Sequence, residues 1–230
     1  MADTVCVKPR SGVAALAYIG SFGGRVAATL NTQFPGAARQ EIDIDSLEAM
    51  FSAGSSIVAI ALWRPHAELC DRADDFSFRY GVPWLPIIME HPVIRVGPLV
   101  RPGLRPCFRC YARRRAQHEN EPWIGSLIEA AYARNPDSGP RGYLPYHVRS
   151  AAAVAARILR AQARGDTELP AQGVTTISLA DSMLRVNPVI PCHDCRRCGV
   201  PATDAVPSWL TDTARMLPGN AVQPALALAQ

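Results

Sequence analysis

Cys107 and Cys110 in "RPGLRPCFRCYARRR" (101–115), and Cys195 and Cys198 in "PCHDCRRCG" (191–199), are the residues best placed to do chemistry. Each Cys-x-x-Cys sets two thiolates on one tight turn, which is half of a tetrahedral zinc site. The halves lie far apart in the chain, so only folding can unite them. Pro106 restrains entry to the first pair, and Gly199 offers the positive φ that such turns favour after the second. Four thiolates leave no open coordination position, so the expected ion is structural. Cys192 and His193 crowd the second pair and stay open as alternative ligands; Cys195 and Cys198 are preferred because Gly199 follows them.

Disulfides and a thioredoxin-like redox pair are the rival uses of such cysteines. The opening "MADTVCVKPR" carries an early acid and no apolar signal core. The longest apolar runs, such as Ser56–Trp63, are too short to cross a bilayer. A cytoplasmic protein with reduced thiols is therefore expected. A redox pair has no use for a remote duplicate. Cys6 and Cys70 fit neither pair, and Cys70, within a helical pattern, reads as a core residue.

The remaining polar residues carry weaker signals. Net charge is +4, and Lys8 is the only lysine among 24 basic residues. Arg113, Arg114 and Arg115 have no interleaved aromatics, so they read as a solvated helix face and nucleic acid is not expected as a partner. His66, His91, His118 and His147 share no spacing that suggests a metal site or a base. Asp71, Asp74 and Asp75 read as one polar helix face, Trp63 and Trp84 as strand-end core residues, and Gly142–Val148 as a linker or contact loop. No catalytic residue is assigned.

Alternating patterns place these groups on an α/β scaffold. Gly12–Gly20 reads as a buried strand, with Gly20, Gly23 and Gly24 opening a helix through Val26–Leu30. The imperfect G-x-x-G-G suits a tight turn better than a phosphate loop. A helix after Asp45 or Ser46, a strand at Ser56–Trp63, a helix stopping at Gly81 and a strand from Val82 follow. Pro92–Val100 is expected as an edge strand because of its prolines. Strand–helix alternation up to about residue 90 predicts a mainly parallel sheet covered on both faces. Two helices (122–135 and 146–166) and a hairpin near Ala180–Asp181 complete a C-terminal helical and hairpin part.

Trp84, Gly97-Pro98, Pro102-Gly103, the pair Cys107/Cys110 and the late Cys195/Cys198-Gly199 together resemble the zinc-bearing, ThiF-like half of azoline-forming cyclodehydratases. These enzymes serve thiazole/oxazole-modified microcin pathways and derive from the ubiquitin-activating, ThiF-type adenylating fold. The resemblance covers roughly residues 10–200. It implies a degenerate Rossmann-like (ThiF-like) α/β domain over 1–200 with a four-cysteine zinc clamp, and a proline-dotted tail over 201–230.

It also implies a role: a non-catalytic or co-catalytic scaffold subunit of a peptide cyclodehydratase complex. Such a subunit docks a YcaO-type ATP-dependent enzyme and helps present a ribosomal precursor peptide for thiazoline or oxazoline formation. An FMN-dependent azoline dehydrogenase is a further expected partner; ATP and FMN belong to partner subunits, and Zn2+ alone to this chain. A homodimer stays open. Two departures from the family pattern matter. Asp43 and Asp45 stand roughly where a ribose-binding acid is needed, but Pro35 interrupts the segment before them. The first strand begins near residue 13, which leaves no room for an N-terminal winged-helix leader-recognition module; exposed sheet edges are one substitute. The alternatives are an active ThiF-type adenylating enzyme acting on a carboxylate, or a zinc-ribbon interaction module.

Overall fold

The computed structural model describes residues 13–118, 121–135, 137–166 and 173–198. Cys6, Lys8, Gly199 and the 201–230 tail lie outside them. Seven strands form one sheet in the order β2-β1-β3-β4-β5-β6-β7. The first half alternates strand and helix: β1 (Ala15–Ile19), α1 (Gly20–Gln33), β2 (Ala38–Glu41), α2 (Leu47–Ser52), β3 (Val58–Leu62), α3 (Ala67–Tyr80) and β4 (Trp84–Glu90). Then come β5 (Val93–Val96), α4 (Phe108–Gln117), α5 (Pro122–Arg134), α6 (Pro145–Ala163), β6 (Gly173–Ser178) and β7 (Leu184–Pro188).

The mainly parallel sheet expected from the sequence extends only from β2 to β4. Those strands pair in parallel, whereas β4/β5, β5/β6 and β6/β7 are antiparallel, so the sheet is mixed. Only His91 and Pro92 separate β4 from β5, and so short a link permits a hairpin but no crossover. β5 is also central, not an edge. Its prolines, Pro92 and Pro98, flank the paired residues instead of interrupting them. β2 was not foreseen: "ARQE" is exposed throughout and has no apolar alternation to betray a strand.

Side-chain alternation on β3 divides the core. Val58, Ile60 and Leu62 face α2 and α3, while Ala59 and Ala61 face α1 and α6. Small residues on the second face let α1 come close. A Cβ on Gly23 would stand 2.3 Å from the Ala61 carbonyl oxygen, so no side chain fits there. Ala151, Ala152, Ala155 and Ala156 give α6 a similarly thin buried stripe. Trp84 starts β4 instead of ending a strand, and its fully buried ring packs on Phe108 at a centroid distance of 5.1 Å. α3 stops at Gly81 as expected from the sequence, and the φ of 64° there makes it a left-handed C-cap. No described helix is long and apolar enough to cross a membrane.

Candidate metal centre

The first cysteine pair is built by the route out of β5. Gly97, at φ 98°, passes so close to the β6 backbone that a Cβ would sit 2.9 Å from the Gly173 oxygen. Val100 and Trp84 then exchange backbone hydrogen bonds of 2.9 and 3.0 Å, fixing the loop before Cys107. Cys107 is the N-cap of α4 and Cys110 lies in its first turn. Free N–H groups at a helix start favour thiolates there. The second pair follows β7, in a turn where the Cys195 N–H donates to the Cys192 oxygen at 3.3 Å.

The fold unites the pairs across 88 residues. Sγ separations are 3.8 Å for Cys107–Cys110, 3.5 Å for Cys107–Cys195 and 3.4 Å for Cys110–Cys198. All four sulfurs lie within 4.8 Å of one another. A tetrahedron with zinc–sulfur bonds of about 2.3 Å has edges of about 3.8 Å. The set therefore fits a four-coordinate thiophilic ion. Cys192 stays outside it: its N–H donates to the Cys110 Sγ at 3.4 Å, and its own sulfur points to the Cys110 carbonyl. His193 is exposed.

Protonation of the cluster follows from its burial. Burial pushes the Cys107 thiol up, and pushes Cys198 up to about 12. At Cys195 burial also opposes ionisation, but the backbone N–H groups of Cys198 and Arg197 outweigh it and lower the thiol to about 7.

Arginines, not the cysteines alone, hold the two turns in place. Arg113 meets Asp194 at 2.7 Å, and Arg114 donates to the Ile190 and Pro191 carbonyls at 3.3 Å each. Arg115 pairs with Glu90. The run 113–115, expected as a solvated face, is thus an intramolecular clasp joining α4 to the late loop and to β4. Asp74 likewise departs from the polar face assigned to it. Its side chain is fully buried, accepts from the Phe108 N–H at 3.3 Å, and lies 3.6 Å from Arg197 and 3.9 Å from Arg109. Spacing gave no sign of these contacts, because they join residues 25 or more apart. A cavity of about 440 Å³ with Arg109, Arg113, Arg196 and Arg197 in its wall opens beside Cys195.

The other residues weighed in the sequence take structural posts. His66 Nδ1 accepts the Leu69 N–H at 3.3 Å, capping α3, and His147 Nδ1 accepts the Leu144 N–H at 3.1 Å at the start of α6. His91 contacts the Gly142 oxygen at 2.8 Å. Asp43 accepts the Ser46 N–H at 2.8 Å and its hydroxyl at 2.6 Å, which closes the turn into α2. Cys70 is buried in the core. In the Gly142–Val148 segment, Tyr143 packs edge-on against Phe22 and the Tyr146 hydroxyl donates to the Leu179 oxygen at 3.2 Å.

Trp63 occupies the carboxyl end of β3, where open α/β sheets bind ligands. Its indole lies against Gly20, the first residue of α1. A Cβ there would be 2.3 Å from the Trp63 Cδ1. Arg141 stacks on the indole at 5.3 Å, and Arg64 lies 4.3 Å from the Tyr132 ring centroid of α5. The helix terminus that would cradle a phosphate therefore carries an aromatic ring from the same chain.

The sequence matches no known family model and no curated protein. The fold, however, recurs in solved structures. The heterocyclase TruD superposes with a TM-score of 0.59 at 16% identity, over 83% of this chain and 28% of that one. A heterocyclase in complex with substrate and cofactor gives 0.57 at 17% identity, over 83% and 25%. E. coli MccB with ATP gives 0.57 at 15% identity, over 83% and 68%. The chain thus spans roughly a quarter of the length of the two heterocyclases, and it shares with all three a fold.

Proposed function

We propose that this chain is a non-catalytic or co-catalytic scaffold subunit of a peptide cyclodehydratase complex. It is a degenerate ThiF-like domain that docks a YcaO-type ATP-dependent enzyme and helps present a ribosomal precursor peptide for azoline formation. The observation that carries this reading is the four-sulfur cluster on a sheet shared with the heterocyclase TruD. Cys107, Cys110, Cys195 and Cys198 would hold a zinc ion that ties the loop after β7 to the start of α4. Their four thiolates would leave that ion no position for substrate, so its contribution is rigidity of the docking surface.

Trp63 supports placing the ATP chemistry on a partner. An indole against Gly20 takes the space a nucleotide phosphate needs at the start of α1. The second reading, an adenylating enzyme, draws on the likeness to MccB, which has been solved with ATP. Reconstitution with a YcaO-type partner and a precursor peptide separates the two. The scaffold reading expects cyclisation to slow sharply when this chain is omitted, and no pyrophosphate exchange by the chain alone. Full-rate cyclisation without it, or robust exchange by it, would overturn the reading.

A further inference from the structure

β7 ends the sheet, and all five of its residues are exposed. Among the described residues only β6 pairs with it. Its hydrogen-bonding phase follows from the turn. Ser178 N–H donates to the Met183 oxygen at 3.0 Å, and Ser182, at φ 61°, supplies the bulge that sets this register. Antiparallel ladders alternate bonded and non-bonded pairs. Thr176/Arg185 and Val174/Asn187 are then the bonded pairs, and Ile177/Leu184, Thr175/Val186 and Gly173/Pro188 the non-bonded ones. Leu184 and Val186 consequently turn both their N–H and their C=O away from β6. Pro188, with no N–H to offer, sits at an outward position, as this phase requires.

The side chains add a pattern to this row of open groups. Leu184 and Val186 stand on the face of Ile177, which belongs to the α6 side of the core, yet they are 54% and 53% exposed. Arg185 stands on the opposite face between them. It forms no salt bridge among the described residues, and its charge acts on Asp181 in the turn before β7. The register that would let a second copy pair both aliphatic residues is disfavoured. The two-fold register that joins Leu184 to Val186 of the other chain sets Arg185 directly against its own copy, and like charges so placed repel.

We propose that the open edge of β7 binds an extended peptide by strand addition, with a carboxylate opposite Arg185 and an aliphatic residue on each side of it. Backbone groups of Leu184 and Val186 hold the strand, their side chains cover its aliphatic residues, and Arg185 selects the acid. Only the identification of this peptide as the ribosomal precursor rests on the function proposed above.

The test uses full-length, zinc-replete protein and a fluorescein-labelled dodecapeptide with Val-Glu-Val at its centre among serine, threonine and glycine, beside a Val-Lys-Val counterpart. Anisotropy should show saturable binding of the glutamate peptide, tighter than the lysine peptide by about fivefold at most. Val186→Pro removes one outward N–H without touching the β6 ladder, and should weaken binding at least tenfold at unchanged melting temperature. Arg185→Glu should reverse the preference between peptides. Hydrogen exchange should find the Leu184 and Val186 amides unprotected in the free chain and protected by peptide. Three results would overturn the proposal: no saturable binding, equal binding by Val186→Pro, or amides already protected without peptide, which would mean that residues 199–230 or a second copy cover the edge. Because the isolated chain is measured, peptide binding stands or falls separately from any need for this chain in cyclisation.

Discussion

Arg109 and Arg197 occupy the same place in the two cysteine turns, directly before Cys110 and Cys198, and both donate to the same oxygen of Asp75, Arg109 at 2.9 Å. Asp74 lies within 4 Å of both guanidinium groups from its buried post on α3. Arg197 also stacks over Phe78 at 4.7 Å. The two turns are therefore held against one helix by matching arginines, a second tie beside the sulfurs.

Removing the buried acid should cost more than removing the exposed one. Asp74→Ala leaves the 15%-exposed Arg197 without its buried partner and should destabilise by about 3 kcal/mol. Asp75→Asn, at a half-exposed side chain, should cost about 1 kcal/mol or less. Urea unfolding of both variants, each with and without chelator, checks the order. A larger loss for Asp75→Asn would mean that the surface contacts dominate the tie.

Metal content separates the tetrad from its neighbours. Cys107→Ser and Cys198→Ser should lose bound zinc and melt well below the parent or aggregate, because the binding energy of such a site is folding energy. Cys192→Ser should retain about one zinc per chain, since its backbone N–H and not its sulfur faces the cluster. Elemental analysis of the purified variants decides it, and zinc loss in Cys192→Ser would redraw the ligand set.

Zinc uptake should release protons. Burial raises the Cys107 and Cys198 thiols, so both are protonated near pH 7 before the ion binds. Each must ionise to ligate, which makes affinity rise with pH and fall in acid. Calorimetry in buffers of different ionisation enthalpy should report at least about two protons per zinc at pH 7. The cavity beside Cys195 also predicts that a chelator strips the ion without prior unfolding. Release that tracks global unfolding in a parallel fluorescence trace would contradict that.

The glycines at the start of α1 make a prediction about packing. Gly23→Ala drives a methyl into the Ala61 carbonyl and should cost about 1–3 kcal/mol. Gly20→Ala meets both a φ of 70° and the Trp63 ring, so Trp63→Ala should relieve part of its cost. A double-mutant cycle by urea denaturation measures that coupling; strict additivity would show that the indole does not press on Gly20.

Short-range patterns made much of this protein legible from its sequence. The glycine stop of α3, the buried β3, the β6–β7 hairpin and the half-site spacing of the cysteines are each encoded within a few residues, where local sterics act. The antiparallel half of the sheet, the exposed β2 and the central place of β5 depend on which strands meet, and no periodicity records that. The same holds for Arg113–Arg115, Asp74 and Trp63. The arginines and Asp74 read as surface groups and Trp63 as core by residue type, and only partners far along the chain give them their posts. Spacing specifies a thiolate pair; bringing two pairs within 4.8 Å across 88 residues takes the packing of the sheet's central strands against helices.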